Sequence, residues 1–216
     1  MNNEPIEELI YKKQVIKIFI DDDPENPRQW DNLGTIFYAH GRYELGDKNL
    51  KEEPEEFNNW QEVENYLIKT YKPEVILPLY LYDHSGLRLK IGSFQGLLPQ
   101  GHAEFDSGQI GYILVGKKKM KEEKLTKEKA EEYLRQEIET FDDYLSGNVY
   151  GYAAETKNGE QIGSCWGYFG EKDYAISEAK SEIDSFVEEQ RKKKQRKVKT
   201  LIKNNVNLNK RQEILI

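Results

Sequence analysis

The chain has 216 residues, 37% apolar and 33% charged, with a net charge of −7, one cysteine, 14 Tyr, 8 Phe and 3 Trp. No run of about 18 apolar residues occurs, which excludes a membrane-spanning helix. A single cysteine excludes an internal disulfide, and the acidic opening MNNEPIEELIYKK lacks an apolar signal region, so the expected compartment is the cytoplasm.

In chain order, Gln14 to Asp21 (QVIKIFID) reads as a largely buried strand, being short and rich in β-branched residues. Asp21, Asp22 and Asp23 then open a polar loop through PENP, because Pro24 and Pro27 cannot donate to a sheet. GTIFYAH reads as a second strand entered through DNLG. NNWQEVENYLIKTY predicts a helix capped by Asn58 or Asn59, with Trp60, Val63, Tyr66, Leu67 and Tyr71 on one face. EVILPLYLYD is the most apolar stretch and predicts a central strand, with Pro78 demanding a bulge or an edge position. HSG turns it into LRLKIGSF, so Glu74 to Phe94 predicts a β-hairpin.

A Gly-rich loop leads to IGYILVG, a further buried strand. Thr126 and Gly147 bracket a strong helix as N-cap and C-terminal stop. The segment from Asn148 to Gly170 reads as a hairpin whose Asn158-Gly159 supplies a type I′ turn. EKDYAISEAKSEIDSFVEEQ predicts a closing helix, apolar at Tyr174, Ile176, Ala179, Ile183 and Phe186. This order predicts an α+β fold: a mostly antiparallel sheet with helices packed on one face, plus a basic C-terminal helical extension. The expected division is an acidic α+β domain over 1–190 and a basic tail over 191–216. The tail holds ten Lys or Arg and one acid, a local balance of +9, which leaves −16 on the remainder. Such polarity speaks to partners rather than to fold.

No Walker A, GxGxxG, CxxC, HExxH or GxSxG signature occurs. What remains are four groups of candidates. Strand-end acids and histidines suit metal-dependent phosphodiester chemistry, which needs hard oxygen ligands and a histidine. On that reading His40, Asp83, His84 and Asp106 are the catalytic candidates, and Asp21, Asp23, Asp83 and Asp106 the ligands of Mg or Mn; the alternative is ordinary turn chemistry with no cofactor. Cys165, in an alternating strand, is expected to be a buried, inert thiol rather than a nucleophile. Arg191, Lys192, Lys193, Lys194, Arg196, Lys197 and Lys199 are candidates for nucleic-acid phosphate, with a solvated end as the alternative. Finally, Asp22, Trp30, Asp31, Asp47 and Trp166 are candidates for an acidic, aromatic interaction face that attracts a basic partner.

The blocks WDNLG, HGRYELGD, LYDHSG, FDSGQ and SCWG together resemble a family of proteins of unassigned activity carried by bacteriophages and related mobile elements. The resemblance spans roughly residues 14 to 187. It implies a phage accessory protein that binds a host protein, with a nucleic-acid-binding defence enzyme as the expected partner, and acts as an anti-CRISPR or anti-restriction inhibitor in the host cytoplasm without contacting membrane. The alternatives are a metal-dependent hydrolase or nuclease, and a nucleic-acid-binding accessory protein working through the tail.

Overall fold

The structure, a computed structural model, describes residues 4–52, 56–84, 86–97 and 105–205. Among these, the first elements are β1 (Glu7–Tyr11), β2 (Gln14–Ile20), β3 (Thr35–Tyr38), β4 (Lys48–Asn49) and α1 (Trp60–Tyr71). Then come β5 (Pro73–Asp83), β6 (Leu87–Ile91), β7 (Ser107–Gly116), α2 (Lys117–Glu122) and α3 (Lys127–Ser146). The chain closes on β8 (Val149–Thr156), β9 (Gln161–Phe169) and α4 (Lys172–Asn205). The class is α+β. The strands build two sheets, and the chain divides into two compact units, one of residues 1–21 with 150–216 and one of residues 22–149. No helix among the described residues is long and apolar enough to cross a membrane.

In the first unit the sheet order is β1-β2-β8-β9. Ile16 and Ile18 of β2 lie opposite Ala154 and Tyr152 of β8, and the same face meets Ala175, Ile176, Ala179 and Ile183 of α4. The two alanines let the helix approach the sheet closely, and the isoleucines fill the space between. Tyr152 is buried and donates its hydroxyl to Glu182 at 2.6 Å; burial and that carboxylate together hold its hydroxyl protonated far above the usual phenol range. Strand β1 has no counterpart in the sequence reading. It pairs with β2 through a turn whose centre, Lys12 and Lys13, has φ of 48° and 69°. Two positive φ values are the type I′ requirement, normally met by Asn-Gly, so two lysines conceal the turn. Lys12 Nζ reaches Asp184 of α4 at 2.7 Å, and Tyr11 donates to the same carboxylate at 3.3 Å, which ties the turn to the helix.

The β8–β9 turn also departs from expectation. Gly159 has φ +83°, but Asn158 is not among the residues of positive φ, so the turn is not type I′. Gly159 N donates to Thr156 O and Thr156 N donates to Glu160 O, at 2.9 and 2.8 Å. This is a three-residue loop, a type I turn followed by a left-handed glycine. Helix α4 runs through the basic segment to Asn205, so the expected basic extension is helical and continuous with the closing helix.

In the second unit the sheet order is β4-β3-β7-β5-β6, antiparallel throughout except for the short β3–β4 pair. Helices cover both faces, not one. Strand β7 is buried at every position from Ile110 to Val115. Ile113 and Val115 point to the side packed by Leu134, Ile138 and Phe141 of α3, whereas Tyr112 and Leu114 point to the side packed by Val63 and Leu67 of α1. A strand apolar on both faces needs a layer on each. Pro78 sits within β5 without breaking it. Its carbonyl accepts from Gly92 N at 3.0 Å, so its nitrogen faces the β6 side, beyond the first β5–β6 pair at Leu79↔Ile91. The ladder to β7 therefore loses no donor, and the bulge falls next to it, between Leu79 and Tyr80.

Left-handed backbone at a non-glycine residue costs roughly 1–2 kcal/mol. Lys13→Gly is expected to raise the stability of this hairpin by about 0.5–1 kcal/mol after the extra freedom of glycine in the unfolded chain is subtracted, a rise in Tm of a few degrees. Lys13→Val is expected to lower it. Thermal unfolding of the two variants checks both signs.

Candidate functional site

Among the described residues, the second unit carries a cleft of about 390 Å³ between the Pro27–Leu33 segment and one side of α3. Its construction starts at Asn26, which caps a single 3₁₀ turn (Pro27–Gln29) by accepting from Arg28 N at 2.9 Å. The turn aims Arg28 inward, where its side chain is only 5% exposed. A guanidinium so buried needs partners for its donors. Nε and Nη2 fork onto the Asp47 carboxylate at 3.2 and 2.6 Å, Nη2 also donates to Gly34 O at 2.8 Å, and Nη1 donates to Glu137 at 3.3 Å.

The two carboxylates in turn hold backbone. Asp47 Oδ2 accepts from Ile36 N at 2.7 Å. Glu137 accepts from Leu33 N at 2.6 Å through Oε1 and from Gly34 N at 3.1 Å through Oε2. Burial lifts the Glu137 carboxyl above its ordinary range, an effect opposed by those two N–H groups and by Arg28. Gly34 is required by space, since a Cβ there would overlap Leu134 and Ile113. Asn32 closes the loop by donating to Pro27 O and Trp30 O at 2.9 and 3.0 Å. Lys119 anchors the outer rim, donating to Asn32 O at 2.7 Å and Asp31 at 2.8 Å, and it holds the Asp31 carboxyl below the usual range.

The result is a cleft in which Asn32, Lys119 and Glu137 serve the framework of the loop. Trp30 and Tyr133, each 42% exposed, present their rings at its edge, with Glu123 and Asp31 beside them. Aromatic anchors at a rigid, partly dry pocket are what protein interfaces use for most of their binding energy. Glu137, with both oxygens engaged by donors, is a positioning group for the loop.

The other sequence candidates are scattered. His84 Nδ1 lies 3.2 Å from Asp106 Oδ2, and Asp83 N donates to Asp106 O at 2.9 Å, so these three share one end of the β5–β7 pair. His40 is occupied in its own turn: its Nδ1 accepts from Tyr43 N at 3.1 Å and its ring stacks on Tyr43 at 5.1 Å. Among the described residues no group of three or more His, Cys, Asp or Glu is placed to hold a metal ion. Asp21 accepts from Gly167 N at 3.1 Å. Asp47, expected on the interaction face, is committed to Arg28 and Ile36. Asp22 and Trp166 are exposed, the Trp166 ring lying 5.5 Å from Phe19. Cys165 is exposed, against the expectation of a buried thiol, because β9 forms a sheet edge.

Arg28, Lys119, Tyr133 and Glu137 had no place among the sequence candidates. One weak signal was available: Tyr133, Glu137 and Thr140 form a row beside the buried row Ala130, Leu134, Ile138 and Phe141 of α3. No family model, curated protein or solved structure matches this chain.

Removing the guanidinium strands two carboxylates. Arg28→Met is expected to cost about 3–5 kcal/mol at neutral pH. Glu137 already has a raised folded-state pKa, and losing Arg28 raises it further, so its charge opposes folding above the ordinary carboxylate pKa. The deficit is therefore expected to shrink as pH falls through the carboxylate range. Urea unfolding of both proteins at neutral and acid pH checks the size and the sign.

Proposed function

We propose that this chain is a non-catalytic binding protein that docks a partner protein in the Trp30–Tyr133 cleft. The observation that carries the reading is the pairing of two exposed aromatic rings with a cleft whose loop is held by Asn32, Lys119 and Glu137. A pocket built this way offers shape and apolar area at little reorganisation cost, because Lys119 and Glu137 are already engaged in holding its loop.

Charge selects the partner. Residues 22–149 carry 25 Asp or Glu against 16 Lys or Arg, so a basic surface is attracted and nucleic acid is repelled. The resemblance of the WDNLG, LYDHSG, FDSGQ and SCWG blocks to proteins of phages and mobile elements extends the proposal. The partner is a host protein with a basic nucleic-acid groove, such as a CRISPR effector or a restriction enzyme, met in the host cytoplasm and inhibited by occupation of that groove. The reading invokes no metal; the His84–Asp106 pair, which a hydrolase would use, is assigned no role in it.

The test is capture by the purified chain from host lysate at physiological salt, followed by binding measurements on the captured protein. Each aromatic truncation is expected to cost about 2 kcal/mol, roughly 30-fold in Kd, so Trp30→Ala/Tyr133→Ala abolishes capture while His84→Ala retains it. Capture that survives the double substitution, or that His84→Ala alone removes, overturns the proposal.

A further inference from the structure

We propose that the projecting end of α4 binds the phosphate backbone of double-stranded DNA along one helical face, independently of the cleft. Val187 is the last residue of α4 packed on the sheet. From Glu188 to Asn204 every side chain except Ile202 is exposed, yet the helix continues unbroken. A helix carried beyond its core presents all its sides to solvent, so the distribution of side chains around it is informative.

At about 100° per residue, Lys192, Lys193, Arg196, Lys197, Lys199 and Lys203 fall on one side of the helix. Val198, Leu201 and Ile202 fall on the opposite side, together with Arg191 and Lys194. The basic side is thus a continuous face with i, i+4, i+7 and i+11 spacing through Lys192, Arg196, Lys199 and Lys203. It extends roughly 16 Å at 1.5 Å per residue. That length bridges a B-form major groove, about 12 Å wide, from one phosphate strand to the other. The pairs that Arg191, Lys192 and Lys193 make with Glu188 and Glu189, at 2.8 to 3.8 Å, are exposed and contribute little, so they leave the face cationic.

Duplex DNA fits this face better than the other polyanions. The described part of the segment from Glu188 onward contains no aromatic residue, so there is no stacking platform for unpaired bases. A-form RNA has a deep, narrow major groove that does not admit a helix. A membrane-surface helix needs a broad apolar face, whereas here three apolar residues share theirs with Arg191 and Lys194. Binding of this kind is driven by counterion release and carries no sequence preference.

The test is fluorescence anisotropy of the full chain with a labelled duplex DNA of arbitrary sequence over a range of salt. The expected slope of log K against log salt is about −4 to −5, from roughly five phosphate contacts. Arg196→Gln/Lys197→Gln/Lys199→Gln/Lys203→Gln is expected to weaken binding at least about 30-fold at low salt and flatten the slope to about −1. Arg191→Gln/Lys194→Gln, on the other side, is expected to change it less than about 3-fold, as is Val198→Asn/Leu201→Asn. Circular dichroism confirms that each variant keeps its helix. Three outcomes overturn the proposal: a quadruple variant that binds like the parent, equal loss from Arg191→Gln/Lys194→Gln, or preference for duplex RNA or phosphatidylserine vesicles, the last abolished by Val198→Asn/Leu201→Asn. Trp30→Ala/Tyr133→Ala leaves DNA binding intact, so failure here and failure of the cleft reading are distinguishable.

Discussion

A single buried guanidinium sets the geometry of the cleft. Arg28 joins the 3₁₀ turn that carries it, the Gly46-Asp47 corner and the α3 residue Glu137, three segments far apart in sequence. Its fork matches the Asp47 carboxylate in a way that a lysine ammonium cannot. Buried ionic networks of this kind add little net stability over apolar packing, because desolvation offsets attraction. What they add here is a defined arrangement: Glu137 accepts the Leu33 and Gly34 N–H groups of the loop and Asp47 accepts the Ile36 N–H of β3, which seats the Trp30–Gly34 loop between them. A loop held in one seating loses little entropy when a partner arrives.

The same logic explains why so much of the fold was legible and so little of the cleft. Elements with local periodicity appear where expected: Asn59 and Thr126 cap their helices, Gly147 ends α3, and β5 pairs antiparallel with β6. Trp30 and Asp31 could be singled out because an exposed tryptophan beside acids in a polar loop is unusual on local grounds alone. Arg28 and Glu137 could not, since they are about a hundred residues apart and each reads as a solvated charge until the chain is folded. Asp47 is exposed, as its turn context suggested, but its carboxylate is occupied by Arg28 and by Ile36 N.

Two further departures share a cause in what a residue's type conceals. Lys12 and Lys13 occupy left-handed backbone that favours glycine, so β1 was invisible to composition; the Lys12–Asp184 contact and the ion pair of Lys172 with Glu7 are the tertiary ties that hold the hairpin despite that strain. Coverage of both sheet faces in the second unit was implicit in the unbroken apolar run of β7. That run carries no alternation, and a strand without alternation does not say which helix covers which side. Only the register, which sends Ile113 one way and Tyr112 the other, assigns α3 and α1 to their faces.

Helix α4 shows how one element can serve two environments without a break. Up to Val187 its apolar stripe is matched to a sheet; beyond it the stripe keeps phase through Val198 and Leu201, but there is no sheet beneath, and lysines fill the remaining surface. Glu188 and Glu189 stand one turn ahead of Lys192 and Lys193, pairs of the orientation that favours a helix by a few tenths of a kcal/mol each. After that turn the bases face one another without acids, so mutual repulsion opposes the helix, and any polyanion laid along it relieves that repulsion. The acidic excess of residues 22–149 works against the same polyanion. On the two proposals, the charge distributions select different chemistry: a basic protein surface for the cleft and a phosphate backbone for the helix, with neither ligand favoured at the other's site.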